Sequence, residues 1–225
     1  MQDELAILIP CYNEELTIKD VVEDFQEYAP QAKIYVYDNN STDKTAEIAR
    51  NAGAIVVPSP NQGKGNVVKH MFSTIEATKY VLVDGDSTYF AKDLPAMLDA
   101  FDKNDCDMVI GDRLSSSYFA ENTRAFHSPG NKLVRFLINH LFHGSIKDVM
   151  TGYRVCSKRF CKNMHIESQG FEIETEMTIY ALKNLYKIDS VPITYKDRPE
   201  GSKSKLSTFK DGYKILKFIF KERFR

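Results

Sequence analysis

Short apolar runs alternate with segments of helical spacing through the first half of the chain. The runs lie at residues 5–9, 34–37, 54–57, 80–83 and 107–110, and the helical patterns lie near residues 16–25, 42–52, 67–75 and 94–101. Runs of this length bounded by turn residues are typical of strands that are buried on both faces. Strands that alternate with helices predict an α/β fold, in which helices flank a mainly parallel central sheet. Ligands of such sheets bind at the carboxyl ends of the strands.

The fourth run stops at Asp84, Gly85 and Asp86. Two carboxylates on either side of a glycine can both reach one hard divalent cation, and that cation can hold a phosphate. The same triplet is also ordinary turn chemistry, so it needs support from elsewhere in the chain.

Three other loops follow strand-like runs and place polar side chains at the same edge of the predicted sheet. They are residues 10–15, residues 38–45 and residues 62–66. In the last of these, glycines flank Lys64 just before a helix, which allows backbone and ammonium group to approach a phosphate. After the second loop we expect a helix over residues 42–52, with Thr42 or Asp43 as N-cap and Gly53 just beyond its end.

The 225-residue chain is 43% hydrophobic, which is enough to bury the core of one domain. Its four cysteines have no metal-ligand spacing, which favours a reducing cytosol. The polar, acidic start predicts no signal peptide, and no run reaches the roughly 20 apolar residues of a membrane-spanning helix.

The alternation weakens after residue 111. Residues 112–130 are polar and long enough for a functional loop. Residues 131–143 carry a wide apolar stripe, which fits either a core helix or a helix in a membrane interface. Further helices are expected over residues 172–184 and 209–224, and a strand over residues 188–195.

Charge is distributed unevenly, although the formal net charge is only −1. Residues 202–225 carry eight basic and two acidic side chains, so this tail is basic and the rest of the chain is acidic. Such a basic segment is a solvated helix face, or it binds an anionic membrane surface or a phosphate-bearing substrate. Nucleic acid is disfavoured as a partner because the body of the chain is acidic.

Taken together, the loops at residues 10–15, 38–45, 62–66 and 84–86 resemble those of the family 2 glycosyltransferases with the GT-A nucleotide-sugar fold. Residues 148–154, 170–177 and 198–206 narrow the resemblance to the polyprenyl-phosphate hexosyltransferase branch, the dolichyl-phosphate mannose synthase-like enzymes. The resemblance extends from residue 5 to about residue 213.

The resemblance implies a UDP- or GDP-sugar donor and a Mg²⁺ or Mn²⁺ ion that Asp84 and Asp86 bind against the diphosphate. The family often has a second aspartate where this chain has Asn39, which leaves the nucleotide base open. The nucleotide-sugar would be bound by Pro10, Tyr12, Asn13, Glu14, Asp38, Asn39, Lys64, Asp84 and Gly85.

The acceptor decides what further groups are needed. A lipid phosphate is already ionised, so it needs cations and no general base, and the candidates are Arg154, Arg198, Lys203 and Lys205. A hydroxyl acceptor needs a carboxylate to take its proton, which Glu172 or Glu174 would supply. Both glutamates also suit a plain helix N-terminus. Asp86, Arg154, Glu172 and Glu174 are therefore the candidate catalytic residues.

The leading hypothesis is a metal-dependent inverting enzyme that transfers a hexose to polyprenyl phosphate, as a peripheral protein at the cytoplasmic face of the membrane. One domain would comprise a donor half (about residues 1–111), an acceptor half (about 112–207) and a basic C-terminal helix (208–225). A homo-oligomer is left open. The alternatives are a soluble transferase acting on a sugar or protein hydroxyl, and a non-catalytic nucleotide-sugar-binding protein. A nucleotidyltransferase or dehydrogenase is disfavoured because the first loop lacks a glycine-rich phosphate motif.

Overall fold

The computed structural model describes residues 3–115 and 129–225. Residues 116–128, part of the loop expected at 112–130, lie outside the described residues. The strands are β1 (Asp3–Cys11), β2 (Lys33–Asp38), β3 (Ile55–Pro58), β4 (Ala77–Leu82), β5 (Met108–Asp112), β6 (Arg154–Ser157) and β7 (Ile188–Pro192). The helices are α1 (Ile18–Tyr28), α2 (Thr45–Asn51), α3 (Lys64–Thr74), α4 (Leu94–Lys103), α5 (Pro129–Leu141), α6 (Lys158–Asn163), α7 (Ile173–Lys183) and α8 (Thr208–Arg223).

These strands form one sheet in the order β3-β2-β1-β4-β6-β5-β7. β1 lies between β2 and β4 and is parallel to both, with Cys11 opposite Asp38 and Leu8 opposite Leu82. β6 is antiparallel to both of its neighbours, β4 and β5. The predicted mainly parallel α/β fold is confirmed, and β6 is a strand that the sequence reasoning did not identify. The loops that follow β1, β2 and β4 meet at one edge of the sheet.

The core lies on both faces of the sheet, as the continuous apolar runs predict. In β1 the side chains of Ala6 and Leu8 face one apolar cluster, and those of Leu5, Ile7 and Ile9 face the other. Helices α3, α7 and α8 supply side chains to the first cluster, whereas α1 and α4 supply the second. Burying each such aliphatic side chain is worth about 1.5–3 kcal/mol, so β1 is anchored from both sides.

Helix α2 begins at Thr45, three residues later than the first predicted residue. The backbone N–H of Thr45 donates to Oδ1 of Asp43 at 2.9 Å, so Asp43 belongs to the preceding turn. The expected N-cap at Thr42 or Asp43 is therefore wrong, because Lys44 occupies that position. Gly53 follows the helix with φ of 94°, a left-handed conformation that favours glycine, as expected.

Helix α5 packs against the core through one face and leaves other apolar side chains exposed. Val134 and Ile138 are buried, while Leu133 and Phe136 remain 45% and 61% exposed. In the part of the chain that the structure describes, no helix has the length and apolar character needed to cross a bilayer.

Candidate active site

A cleft of about 370 Å³ opens at the carboxyl ends of β1, β2 and β4. The predicted loops at residues 10–15, 62–66 and 84–86 line it, and residues 198–207 and α8 complete it. The charged and polar residues that line it include Glu14, Asn39, Lys64, Asp84, Asp86 and Arg198.

Asp86 is nearly buried, and its two carboxylate oxygens have different partners. Oδ1 accepts hydrogen bonds from the backbone N–H and the hydroxyl of Thr88, at 3.1 and 2.6 Å. Oδ2 pairs with Nη2 of Arg198. Thr88 therefore fixes the orientation of Asp86, while the other oxygen faces a cation.

Asp84 is 25% exposed and pairs with a buried lysine at the start of α3. Nζ of Lys64 lies 2.6 Å from Oδ1 of Asp84 and 2.5 Å from Oε1 of Glu174. Burial alone would lower the pKa of Lys64, but the two carboxylates outweigh it and hold that pKa above its usual value. Lys64 is therefore a permanent cation, and it joins the loop after β4 to α7.

Glu14 lies beside two further cations. Nζ of Lys205 is 2.6 Å from Oε1 of Glu14, and Nη1 of Arg198 is 3.5 Å from the same oxygen. Burial raises the pKa of Glu14, although Lys205 and Arg198 oppose the shift. Lys205 also donates to the carbonyl of Asn13 at 2.8 Å. These contacts tie residues 198–205 across the cleft.

Two glycines permit close approaches that shape the carboxylate pair. A Cβ atom on Gly85 would lie 2.6 Å from Sγ of Cys11. A Cβ atom on Gly152 would lie 2.5 Å from Oδ2 of Asp84. The backbone N–H of Gly152 donates to Oη of Tyr89 at 2.9 Å, which holds this backbone in place.

The carboxylates of Asp84 and Asp86 suit Mg²⁺ or Mn²⁺, because hard divalent cations prefer oxygen ligands. Mg²⁺ in particular is usually held by one or two carboxylates plus phosphate oxygens. Within residues 3–115 and 129–225, no group of three or more His, Cys, Asp or Glu side chains is arranged to hold a metal. The fit rests on these two aspartates and on phosphate oxygens from a substrate.

Arg154 does not lie in the cleft, contrary to its expected role as an acceptor-phosphate and catalytic residue. The side chain is fully buried at the start of β6. Its guanidinium donates to the carbonyls of Val149 and Thr151, at 2.6 and 3.1 Å, and to the hydroxyl of Thr178 at 3.0 Å. All three acceptors belong to the protein interior, so Arg154 organises the chain beneath the cleft rather than binding a substrate phosphate.

The other expected cations and bases are placed unequally. Arg198 and Lys205 line the cleft, whereas the side chain of Lys203 is exposed and does not. Glu172 caps the turn before α7, where its Oε1 accepts from the backbone N–H groups of residues 169 and 170 at 3.2 Å. Glu174 is paired with Lys64.

The nucleoside residues that the resemblance implies divide into lining and supporting positions. Pro10 and Tyr12 line the cleft. Asn13 adopts φ of 53°, and its Oδ1 accepts from the backbone N–H of Thr42 at 2.8 Å, so it joins the first two loops. Asp38 ends β2, and its Oδ1 is buried with no hydrogen-bond partner among the described residues.

Asn39 lines the cleft and also shapes the neighbouring loop. Its Nδ2 donates to the carbonyls of Ser59 and Asn61 at 2.7 and 2.9 Å, and its Oδ1 accepts from the backbone N–H of Gly63 at 2.8 Å. An ionised aspartate has no donor for the two carbonyls. The structure therefore favours asparagine over aspartate at this position.

Several residues of the site were not identified from the sequence. Tyr89 holds the backbone of Gly152, and Lys210 and Lys214 of α8 line the cleft. The two lysines are four residues apart and therefore lie on one face of a helix. That spacing was visible in the sequence as part of a basic tail, but the direction in which the face points was not.

Comparisons with known proteins agree with this geometry. The model of glycosyl transferase family 2 matches residues 6–164. Glycosyltransferase AglJ of Haloferax volcanii is 37% identical over 211 residues, which cover 93% of this chain and 69% of that protein. A dolichyl-phosphate hexose transferase of the same organism is 31% identical over 220 residues, covering 97% of this chain and 93% of that protein.

Among solved structures, glucosyl-3-phosphoglycerate synthase from Mycobacterium tuberculosis in complex with Mn²⁺, UDP and glucosyl-3-phosphoglycerate matches with a TM-score of 0.80. The match has 18% sequence identity and covers 98% of this chain and 80% of that chain. Fold and cleft together define a glycosyltransferase with the GT-A fold. The chain belongs to glycosyl transferase family 2, and the expected similarity to its dolichyl-phosphate branch is confirmed.

Proposed function

We propose that this protein transfers a hexose from a UDP- or GDP-sugar to a polyprenyl phosphate, with inversion at the sugar and with Mg²⁺ or Mn²⁺ bound by Asp84 and Asp86. The observation that carries the proposal is the pairing of these carboxylates with Arg198 and Lys64 in one cleft. The carboxylates would hold the divalent cation that binds the donor diphosphate. Cationic side chains such as Arg198 would bind an anionic acceptor.

The donor half of the cleft would bind the nucleotide-sugar with its diphosphate against the aspartates. When bound, the divalent cation would neutralise the charge that develops on the leaving diphosphate. Lys64, held permanently charged between Asp84 and Glu174, adds a cation beside that diphosphate. The structural neighbour crystallised with Mn²⁺ and UDP supports this part of the proposal.

The acceptor half would receive a phosphate whose oxygen is already ionised at neutral pH, since the second pKa of a phosphate monoester is about 6. That oxygen would attack the anomeric carbon from the side opposite the diphosphate, which inverts the configuration. No side chain has to remove a proton. Arg198 and Lys205 would hold the phosphate, and the relative named dolichyl-phosphate hexose transferase supports a polyprenyl phosphate as acceptor.

A peripheral position at the cytoplasmic face of the membrane follows from this acceptor, because its polyprenyl chain lies in the bilayer. Helix α8 fits such a position, since its basic residues lie among exposed aromatic rings such as Phe209 and Tyr213, which are 92% and 69% exposed. In this proposal the donor half comprises about residues 1–111, and the acceptor half comprises about residues 112–207.

The test begins with a screen of UDP- and GDP-sugars with Mn²⁺, using farnesyl phosphate in neutral detergent as acceptor and farnesol as comparison. We expect a sugar-phosphate lipid and release of one nucleoside diphosphate, both abolished by EDTA. Asp86→Ala should lower the rate at least about 100-fold, because it removes charge stabilisation from the reacting site. Asp99→Asn, an exposed position on α4, is the matched control and should retain the wild-type rate.

Full activity in EDTA would refute the metal role. Transfer to farnesol with none to farnesyl phosphate would show that the acceptor is a hydroxyl rather than a phosphate. A lower rate of transfer to farnesol in Glu174→Gln than in wild type would then point to a carboxylate base. Tight nucleotide binding without turnover on any acceptor would favour a non-catalytic binding protein.

A further inference from the structure

Helix α8 places two lysines in the cleft that the ion-pair network on its floor does not use. Lys210 and Lys214 line the same cleft as Asp84 and Asp86. They are four residues apart on one helix, so their ammonium groups extend from a single face.

Carboxylates neutralise these two lysines less than they neutralise the other cations of the cleft. Lys64 and Lys205 each lie 2.6 Å or less from a carboxylate oxygen, and Arg198 is in direct contact with Asp86. By contrast, Nζ of Lys214 lies 3.8 Å from its partner Asp211, with 44% of its side chain exposed.

The side chain of Lys210 is exposed and makes no ion pair or hydrogen bond with any other described residue. Lys214 lies near the turn before α7, because a Cβ atom built on Gly170 would be 3.7 Å from its Nζ and 3.0 Å from Oε2 of Glu172. The side of the cleft formed by α8 therefore has positive charge that remains available to an anion.

Apolar surface accompanies this charge. Phe209 and Tyr213 directly precede the two lysines and are 92% and 69% exposed. A helix that exposes ammonium groups and aromatic rings side by side suits a ligand that has both an anionic head and an apolar chain.

We propose that Lys210 and Lys214 bind the phosphate monoester of an apolar-chain acceptor as it enters the cleft, while Phe209 and Tyr213 contact the first units of its chain. This inference rests on the proposed function and extends it, because it assigns acceptor binding to α8 in addition to Arg198 and Lys205. The occupant is the acceptor itself rather than the phosphodiester of an anionic membrane lipid.

The test measures transfer to farnesyl phosphate in neutral detergent by Lys210→Gln and Lys214→Gln in the full chain. Lys217→Gln is the matched control, because Lys217 is an exposed residue of the same helix that does not line the cleft. Each cleft variant should raise the KM for farnesyl phosphate about tenfold, as expected for the loss of one charge-assisted hydrogen bond in a partly exposed site. The kcat and the donor KM should stay near wild type, and Lys217→Gln should leave all three unchanged.

A second arm measures sedimentation of the same variants with phosphatidylglycerol vesicles. If all three lysine variants lose vesicle binding equally while the KM for farnesyl phosphate stays unchanged, the lysines serve a bilayer surface and the inference is overturned. An unchanged KM in Lys210→Gln and Lys214→Gln, with wild type active on farnesyl phosphate, overturns the inference alone. A wild-type protein that rejects farnesyl phosphate but uses farnesol overturns the proposed function as well.

Discussion

The substitution Gly152→Ala tests how the position of Asp84 is set. The new methyl group would lie 2.5 Å from Oδ2 and 2.9 Å from Oδ1 of Asp84, whereas ordinary contact begins near 3.4 Å. The backbone of Gly152 cannot easily retreat, because its N–H donates to Oη of the buried Tyr89. The carboxylate must therefore shift by roughly 0.9 Å, taken from the difference between the two distances.

A displacement of this size at a reacting site is costly. A shift of about 1 Å commonly lowers a rate about 100-fold, so we expect kcat to fall by about that factor in Gly152→Ala. The concentration of Mn²⁺ for half-maximal rate should rise, because Asp84 is a proposed ligand. Overpacking should also cost about 1–3 kcal/mol of unfolding free energy, which thermal unfolding would detect.

Release of nucleoside diphosphate, measured against Mn²⁺ concentration, is the assay. Gly212→Ala is the control, because a Cβ atom there meets nothing within 4 Å and the site lies within α8. It should retain activity and gain about 0.5–1 kcal/mol of stability. In an Asp84→Ala background, Gly152→Ala should cause no additional loss of rate. Wild-type kinetics in Gly152→Ala, or an equal loss in that background, would refute the reasoning.

Three further predictions concern Asn39 in the cleft, Arg154 beneath it and Glu167, which pairs with Lys221 of α8 and Arg225. Asn39→Asp should lower the unfolding free energy by about 1–3 kcal/mol, measured by urea denaturation, because the buried carbonyl of Ser59 and the part-buried carbonyl of Asn61 lose their donor. Arg154→Lys should lower stability by a similar amount, about 2–3 kcal/mol, without raising the acceptor KM, because its guanidinium binds only the protein interior. Hydrogen bonds from Lys221 and Arg225 lower the pKa of Glu167 to about 2, so its contribution to stability is present above about pH 4.3 and lost as pH falls through about 2. Glu167→Gln should therefore lower the Tm at pH 7, and the difference from wild type should vanish near pH 2; a constant difference would contradict the assignment.

The sheet and the position of the site were predictable because burial on both faces leaves continuous apolar runs in the sequence. β1 and β4 are such runs, and parallel strands bring the loops that follow them to one edge. Asp84 and Asp86 were found for this reason. β6 was missed because it has only four residues and begins with Arg154, whose charge favours an exposed site.

The role of Arg154 could not be predicted from local sequence, because its burial depends on an acceptor from a distant part of the chain as well as on two nearby carbonyls. The hydroxyl of Thr178 lies 24 residues away in α7. A buried guanidinium is tolerable only when such acceptors surround it. Similarly, the orientation of α8 depends on the burial of Ile215 and Ile219 against the core, and only this docking turns Lys210 and Lys214 towards the cleft.

The balance of charge in the cleft connects the proposed donor and acceptor sites. The floor pairs the carboxylates of Glu14, Asp84, Asp86 and Glu174 with the cations Lys64, Arg198 and Lys205, which leaves an excess of one negative charge. A divalent cation and an ionised diphosphate bring equal and opposite charge, so the donor leaves that excess unchanged. An acceptor phosphate adds further negative charge, which the floor cannot neutralise without separating its own pairs. Cations from outside the floor would then assist Arg198 and Lys205 at the proposed acceptor phosphate, and Lys210 and Lys214 of α8 are such cations within the described cleft.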